Sequence, residues 1–389
     1  MKDVPLNKSA GPSPARHGSS SLGQIAGLFL RLGITAFGGP AAHIAMMEDN
    51  VVNRRQWLDR QQFLDLLGAS NLLPGPSSSE LAIYIGQSQA GWAGLLLGGL
   101  CFILPAALLT AGIAWCYQRF HAMPQTASIL YGMRPIVVAV ILQALLRLGK
   151  TALKTKLAIG LAVGAAAASF AGLGPIWSLL LCGLITFASR HARRMRGFPA
   201  VFGLGPAAAM AAHWSLGSLF LIFLKIGAVV YGSGYVLLAF LRADFVDRLH
   251  WLTEKQLLDA VAVGQITPGP VFSTATFIGY ILAGGKGAAL ATLAIFLPAF
   301  ILVAFTGPLL PRLRRSEGLS AILDGVNAGS LGLMLAVALF MSRSAIVDLV
   351  SALAFIASAV LLLRFKINPS WLILAGAASG IIYSVLHAS

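Results

Sequence analysis

Long apolar stretches alternate along the chain with short polar or basic connections. They fall near residues 22 to 47, 62 to 86, 91 to 117, 132 to 149, 155 to 172 and 175 to 189. A second series lies near 213 to 241, 256 to 283, 287 to 310, 325 to 342, 345 to 363 and 370 to 387. Stretches of about 20 apolar residues cross a bilayer as helices, and none alternates with the period of two that a lipid-facing barrel strand needs. The pattern predicts an all-α polytopic membrane protein with about 10 to 12 transmembrane or re-entrant segments. Residues 1 to 21, rich in Pro, Ser and Gly, lack the apolar block of a signal peptide and read as a disordered tail. Residues 190 to 212 read as a basic linker between 22 to 189 and 213 to 389.

Six and six suggests duplication. At a constant offset of 194, Gly33 meets Gly227, Gly38 meets Gly232, Trp57 meets Trp251, Asp65 meets Asp259, and Pro74-Gly75-Pro76 meets Pro268-Gly269-Pro270. Residues 29 to 76 match 223 to 270 at 15 of 48 positions without a gap. The matches include Trp, Asp and a Pro-Gly-Pro triplet, which chance pairing of Leu- and Ala-rich helices does not supply. After one deleted residue the register continues at 193, pairing Gly86 with Gly279, Gly91 with Gly284 and Gly94 with Gly287. Basic residues follow the fourth and sixth segments of half one but the third and fifth of half two, a displacement of one crossing. Basic loops stay on the cytoplasmic side, so inverted halves are expected, with an odd number of full crossings each and one segment per half broken or re-entrant.

Composition sharpens this picture. Hydrophobic residues make up 57% of the 389 and charged residues 11%, against about 25% charged in a soluble chain, which excludes a water-soluble enzyme. The net charge of +15 would suggest nucleic acid in a soluble protein. Here most of the excess lies between apolar segments and marks topology, so no nucleic-acid partner is expected. Cys101, Cys116 and Cys182 sit inside apolar segments without disulfide or zinc spacing. No Walker, G-x-S-x-G or H-E-x-x-H sequence occurs, so no catalytic residue, cofactor or metal is expected.

Candidate chemistry concentrates at the breaks. Proline inside a helix removes a donor and clashes with the preceding turn, and irregular backbone at membrane depth survives only where it lines a cavity or is buried in protein. Broken segments at matching places in two halves mark a transporter's binding centre. The Pro-Gly-Pro triplets and the motifs Phe37-Gly38-Gly39 and Tyr231-Gly232-Ser233-Gly234 are such breaks. The helices that follow, from Ser77-Ser78 and from Val271, present free amides and a positive dipole end to an anion; the competing reading is a pair of kinks that shape packing. Arg31 and Lys225 share a repeat position and suit a dianion, or else snorkel to head groups. Asn71 and Gln265 are placed to donate hydrogen bonds, or are satisfied by nearby backbone. Asp65 and Asp259 complement helix starts, pair with Arg54 and Arg248, or couple protons. His43 and Glu80 face the uncharged Leu237 and Thr274 of half two and are candidates for a proton relay or for structural hydrogen bonding. Trp57 and Trp251 read as interfacial anchors.

Phe37-Gly-Gly-Pro-Ala-Ala-His43, Val51-Val-Asn-Arg-Arg-Gln-Trp57-Leu and Leu73-Pro-Gly-Pro-Ser77-Ser resemble the chromate ion transporter family. So do Lys225-Ile-Gly-Ala-Val-Val-Tyr231-Gly-Ser-Gly-Tyr235, Gly264-Gln-Ile-Thr-Pro268-Gly-Pro and Thr276-Phe-Ile-Gly279-Tyr. The likeness runs from about residue 22 to 387. It implies the two-domain form, exporting chromate across a bacterial inner membrane and conferring resistance, with sulfate as a mimic. Tyr231-Gly-Ser-Gly lacks the double glycine of half one, and Ser70-Asn-Leu-Leu replaces the family's Cys-Gln-Phe-Leu. A sulfate or other small-oxyanion permease is the alternative, and a non-transporting membrane scaffold or sensor the second; a homodimer stays open.

Overall fold

The computed structural model describes residues 21–120, 123–191, 215–231, 234–306, 316–365 and 367–387. Most of the expected tail and linker, together with Gly232 and Ser233, lies outside them. Fourteen α-helices and no strands are found among the described residues. In half one they are α1 (Leu22–Thr35), α2 (Pro40–Glu48, continued by a π-helical turn Asp49–Arg54), α3 (Arg60–Ser70), α4 (Ser77–Phe120), α5 (Pro124–Ala152), α6 (Lys156–Phe170) and α7 (Pro175–His191). Half two holds α8 (Leu216–Val229), α9 (Leu237–Leu241, continued by the π-helical Arg242–Arg248) and α10 (Glu254–Ile266). Then come α11 (Thr274–Thr306, after a 3-10 turn Val271–Ser273), α12 (Glu317–Ala345), α13 (Leu349–Arg364) and α14 (Pro369–His387). The repeat extends to local signals. Asp59 with Gln62, and Thr253 with Gln256, form the same capping box at the starts of α3 and α10. Just before each box stands an equivalent left-handed residue, Gln56 or His250.

Neither α4 nor α11 is one rod. At Ala90-Gly91 and again at Ala283-Gly284 the backbone leaves helical space, with the glycines at φ +57° and +60°. That left-handed conformation is open to glycine at little cost. The chain then doubles back: a Cβ on Gly86 would lie 2.1 Å from the Gly94 carbonyl, and one on Gly279 would lie 2.3 Å from that of Gly287. Small residues allow this approach. The limb 77–90 also returns beside α3, since the Gln89 side-chain amide donates to the Trp57 carbonyl. Residues 60–90 therefore enter the bilayer, turn at Pro74-Gly75-Pro76 and leave by the same face.

The α1–α2 pair behaves likewise. Ile25, Leu28, Phe29 and Leu32 of α1 share one buried cluster with Met47 and Val51, so the two limbs lie side by side around the 36–39 break. In half two Phe223 of α8 packs on Phe245, which in turn meets Trp251, and a turn falls at 234–236. The limb 91–120 does cross. It runs antiparallel to the limb 284–306: Gln118 donates to the Tyr280 and Ile281 carbonyls, a Cβ on Gly99 would strike Phe300, and Tyr84 and Thr306 share a hydrogen bond.

Equivalent crossing helices that run in opposite directions establish inversion. Among the described residues four helices, α4, α5, α11 and α12, are long and apolar enough to span by length and composition, and the shorter apolar helices α1, α6, α7, α8, α13 and α14 bring the apolar segments to ten. About 20 residues span the apolar core, whereas α1 and α8 have 14 each. The halves also interlock. Gly132 of α5 packs on Gly376 and Gly380 of α14, while Gly325 and Gly329 of α12 pack on Cys182 of α7.

Candidate functional site

The breaks meet at mid-depth. Gly33 and Gly227 rest on the carbonyls of Phe102 and Ile295, near the middle of the crossing limbs. Three residues later each first helix ends, and its last carbonyl is taken by the other half. The Gly75 amide donates to Val230 O at 2.7 Å, and the Gly269 amide donates to Ala36 O at 2.9 Å. These are the same hydrogen bond made twice, once in each direction. It satisfies carbonyls that a helix end would otherwise leave orphaned in the membrane. Both glycines have positive φ, +139° and +93°, and a Cβ on Gly269 would lie 2.8 Å from that of Ala106.

Other polar groups tie this junction together. The Tyr231 hydroxyl donates to the Asn71 carbonyl, Ser330 Oγ to the Tyr231 carbonyl at 3.4 Å, and Ser370 Oγ to the Gln265 carbonyl at 2.9 Å. The exposed Phe37 is the counterpart of Tyr231, and a Cβ on Gly38 would touch the Asn368 side chain, whereas Gly39 faces open space. Gly234 is half-buried beside Val271 and Phe272. Pro74 and Ser77 are half-buried, and Pro76, Pro268 and Pro270 buried. His43 is buried, with Nε2 3.1 Å from the Ala36 carbonyl and Nδ1 3.3 Å from Ser78 Oγ. A carbonyl only accepts, so Nε2 carries the hydrogen and Nδ1 faces the serine hydroxyl. The ring is a strut between the two breaks of half one.

A cavity of about 330 Å³ opens beside the half-one break, lined by Gly68, Leu72, Tyr231, Ser316, Ser320, Leu323, Asp324 and Asn327. One water occupies about 30 Å³ of liquid, so the space holds a small oxyanion with part of its hydration. Asp324 is balanced by Arg190 at 2.7 Å. Arg134, the repeat counterpart of Asn327, makes two hydrogen bonds of 2.9 and 3.0 Å to Asp259, which also accepts from Tyr117 at 3.1 Å.

Several expected pairings are corrected. Asp259 is held by Arg134, and Arg248 lies instead 3.1 Å from Asp244. Asp65 accepts from Gln61 at 3.3 Å, while Arg54 pairs with Asp49 at 2.7 Å. Lys225 is committed to Asp244 at 2.5 Å. Arg31 is exposed beside the exposed Leu30 and Ile34, and the counterpart of Asp244 there is Asn50, which donates to the Met46 carbonyl. Arg31 and Lys225 therefore do not form a cation clamp, since one faces outward and the other is neutralised. Arg134, Asp324 and Asn327 were not singled out from the sequence, although an arginine inside an apolar stretch is itself a signal.

The family model described as "Chromate transporter" matches the chain twice, over residues 23–187 and 217–381. The chain belongs to the chromate transporter family. Among curated relatives, the chromate transport protein of Cupriavidus metallidurans is 33% identical over 379 residues, 94% of each chain. The probable chromate transport protein of Synechococcus elongatus is 29% identical over 94% of this chain and 97% of its own. That of Pseudomonas aeruginosa is 31% identical over 80% and 79%. No solved structure matches. Family membership and the apolar helices make this a multi-pass membrane protein of two homologous halves.

Proposed function

We propose that this member of the family is a transporter and not an enzyme, and that it exports chromate by alternating access at the junction of the two breaks. The observation that supports it most is the asymmetry between the halves: a cavity lies beside Tyr231 with Asn327 in its lining, and the repeat counterpart of Asn327, Arg134, is paired with Asp259. Inverted repeats that exchange such arrangements open a central site to each side in turn. Dianion ligands at the junction are the amides that open α4 at Ser77 and Ser78 and the 3-10 turn at Val271, with the Asn327 amide and Ser320 hydroxyl along the cavity. A scaffold or sensor leaves the cavity without a role.

Orientation follows from basic residues. The face where α3 begins, and where the cavity opens, gathers Arg54, Arg55, Arg60, Arg147, Lys150, Lys154, Lys156 and Arg190. The opposite face holds Arg119, Arg242, Arg248, Lys255, Lys286 and Arg343, two of them paired with acids. The cavity is thus cytoplasmic and loads anion from inside.

An inside-negative potential of 100 mV favours outward movement of a dianion by about 4.6 kcal/mol, so export needs no other driving ion and gives resistance. In inverted vesicles, chromate uptake is expected to vanish when the potential is collapsed with a pH gradient kept; equal uptake would refute potential-driven export. Sulfate, also a tetrahedral dianion, is expected to compete, and uptake of sulfate in preference to chromate would favour the sulfate-permease reading. One chain supplies both halves of the site, so a homodimer adds no residue to it.

A further inference from the structure

Glu80 stands out from the other acids among the described residues. It lies in the first turn of α4 with 0% exposure, and both its carboxylate oxygens lack a hydrogen-bond partner. No lysine, arginine or histidine among the described residues forms an ion pair with it. Asp259, by contrast, is buried with a guanidinium and a phenol in contact. A buried carboxylate without a counter-charge is strongly disfavoured. Glu80 also sits at the junction itself: its Oε1 is 2.4 Å from where a Cβ on Gly75 would stand.

The titratable groups facing Glu80 are few. Tyr84 lies on its own helix, and Tyr231, which lines the cavity, faces it from the end of α8. His43 of α2 is engaged two residues away by Ser78. Asp324 of α12 lies beyond Tyr231 and is paired with Arg190. On α1, Arg31 faces outward; on the crossing limb of α11, Thr306 offers a hydroxyl to Tyr84. None supplies a positive charge. The half-two counterpart is Thr274, whose hydroxyl donates to the Val271 carbonyl at 2.8 Å, so only half one places an acid at a break.

We propose that Glu80 is a proton-binding group linked to the anion site: it holds a proton whenever the dianion is seated and releases it only when the site is empty. This rests on the placement of the anion at the break junction. A charged Glu80 and a dianion at adjacent backbone amides repel across a medium of low dielectric, so by linkage each raises the free energy of the other. A proton carried with the dianion lowers the net charge moved from two to one and leaves transport potential-driven in the same direction.

The test uses full-length protein in inverted vesicles at a fixed potential, with initial chromate uptake measured from about pH 7 to about pH 9. Wild-type uptake at subsaturating chromate is expected to fall with rising pH, approaching tenfold per unit once Glu80 ionises in the empty site. Glu80→Gln, which fixes the neutral form, is expected to retain the uptake seen at the lower pH and to lose the slope. Both proteins see the same anion at each pH, so the difference isolates Glu80. A wild-type profile as flat as that of Glu80→Gln would overturn the proposal, as would a variant that keeps the wild-type slope. So would a Glu80→Gln protein with wild-type abundance and melting temperature that does not transport. Absence of chromate uptake by the wild type at every pH would instead strike the transport reading on which it rests.

Discussion

Replacing Arg134 by glutamine is expected to lower the stability of the purified protein by about 3–5 kcal/mol, the usual cost of stranding one partner of a buried ion pair. Asp259 is 1% exposed. Its two oxygens receive the guanidinium fork and the Tyr117 hydroxyl, so loss of the fork leaves a charge with one neutral donor. Asp259→Asn in the same protein is expected to recover most of the loss, since both charges are then gone. Thermal unfolding in detergent of the two single variants and the double variant measures this. A double variant no more stable than Arg134→Gln would show that the pair is not the source of the effect.

Gly75→Ala and Gly269→Ala are each expected to reduce chromate transport more than tenfold. Both positions need left-handed φ, +139° and +93°, which strains any residue with a Cβ by about 1–3 kcal/mol. The added methyl would also press on Glu80 in one half and on Ala106 in the other. The amides lost from register are those that hold the first helix of the opposite half, so strain at either glycine moves both breaks. Gly27, whose Cβ would meet nothing within 4 Å, is the control: Gly27→Ala should transport normally. Chromate accumulation in cells, normalised to protein in the membrane, measures all three. Normal transport by both break variants would separate the breaks from the site.

The repeat, the all-helical class and the two kinds of break were legible in the sequence because proline, glycine and tryptophan are rare enough in apolar helices for their spacing to carry information. The glycines at 86, 91 and 94 aligned with 279, 284 and 287, but a glycine in an apolar run reads equally as a packing contact or a turn. Only backbone geometry shows the chain folding back at Ala90-Gly91. The displaced basic loops pointed to inversion and the apolar stretches gave the number of transmembrane or re-entrant segments, but not which of them cross, because an apolar stretch that enters and leaves by one face has the composition of one that crosses.

The charged residues show a sharper limit. Arg31 and Lys225 share a position, and that symmetry suggested a shared role. Their neighbours differ at one place, Asn50 against Asp244, and that difference neutralises one cation and leaves the other outside. Pairing across halves, as between Arg134 and Asp259, depends on which helices interlock, and repeat alignment alone does not specify that. Glu80 and His43 were visible as ionisable groups in apolar surroundings, yet only coordinates separate the histidine, satisfied on both nitrogens, from the glutamate, satisfied on neither oxygen.

The most direct measurement places one cysteine at Asn327, in a background with Cys101, Cys116 and Cys182 replaced, and follows its labelling by a membrane-impermeant thiol reagent. Asn327 lines the cavity that leads to the break junction. Labelling is expected in inverted vesicles, is expected to be slow in right-side-out vesicles, and is expected to be retarded by chromate. A cysteine that reacts only from the outside, or at a rate that saturating chromate leaves unchanged, would contradict an anion site reached from the cytoplasm between the two halves.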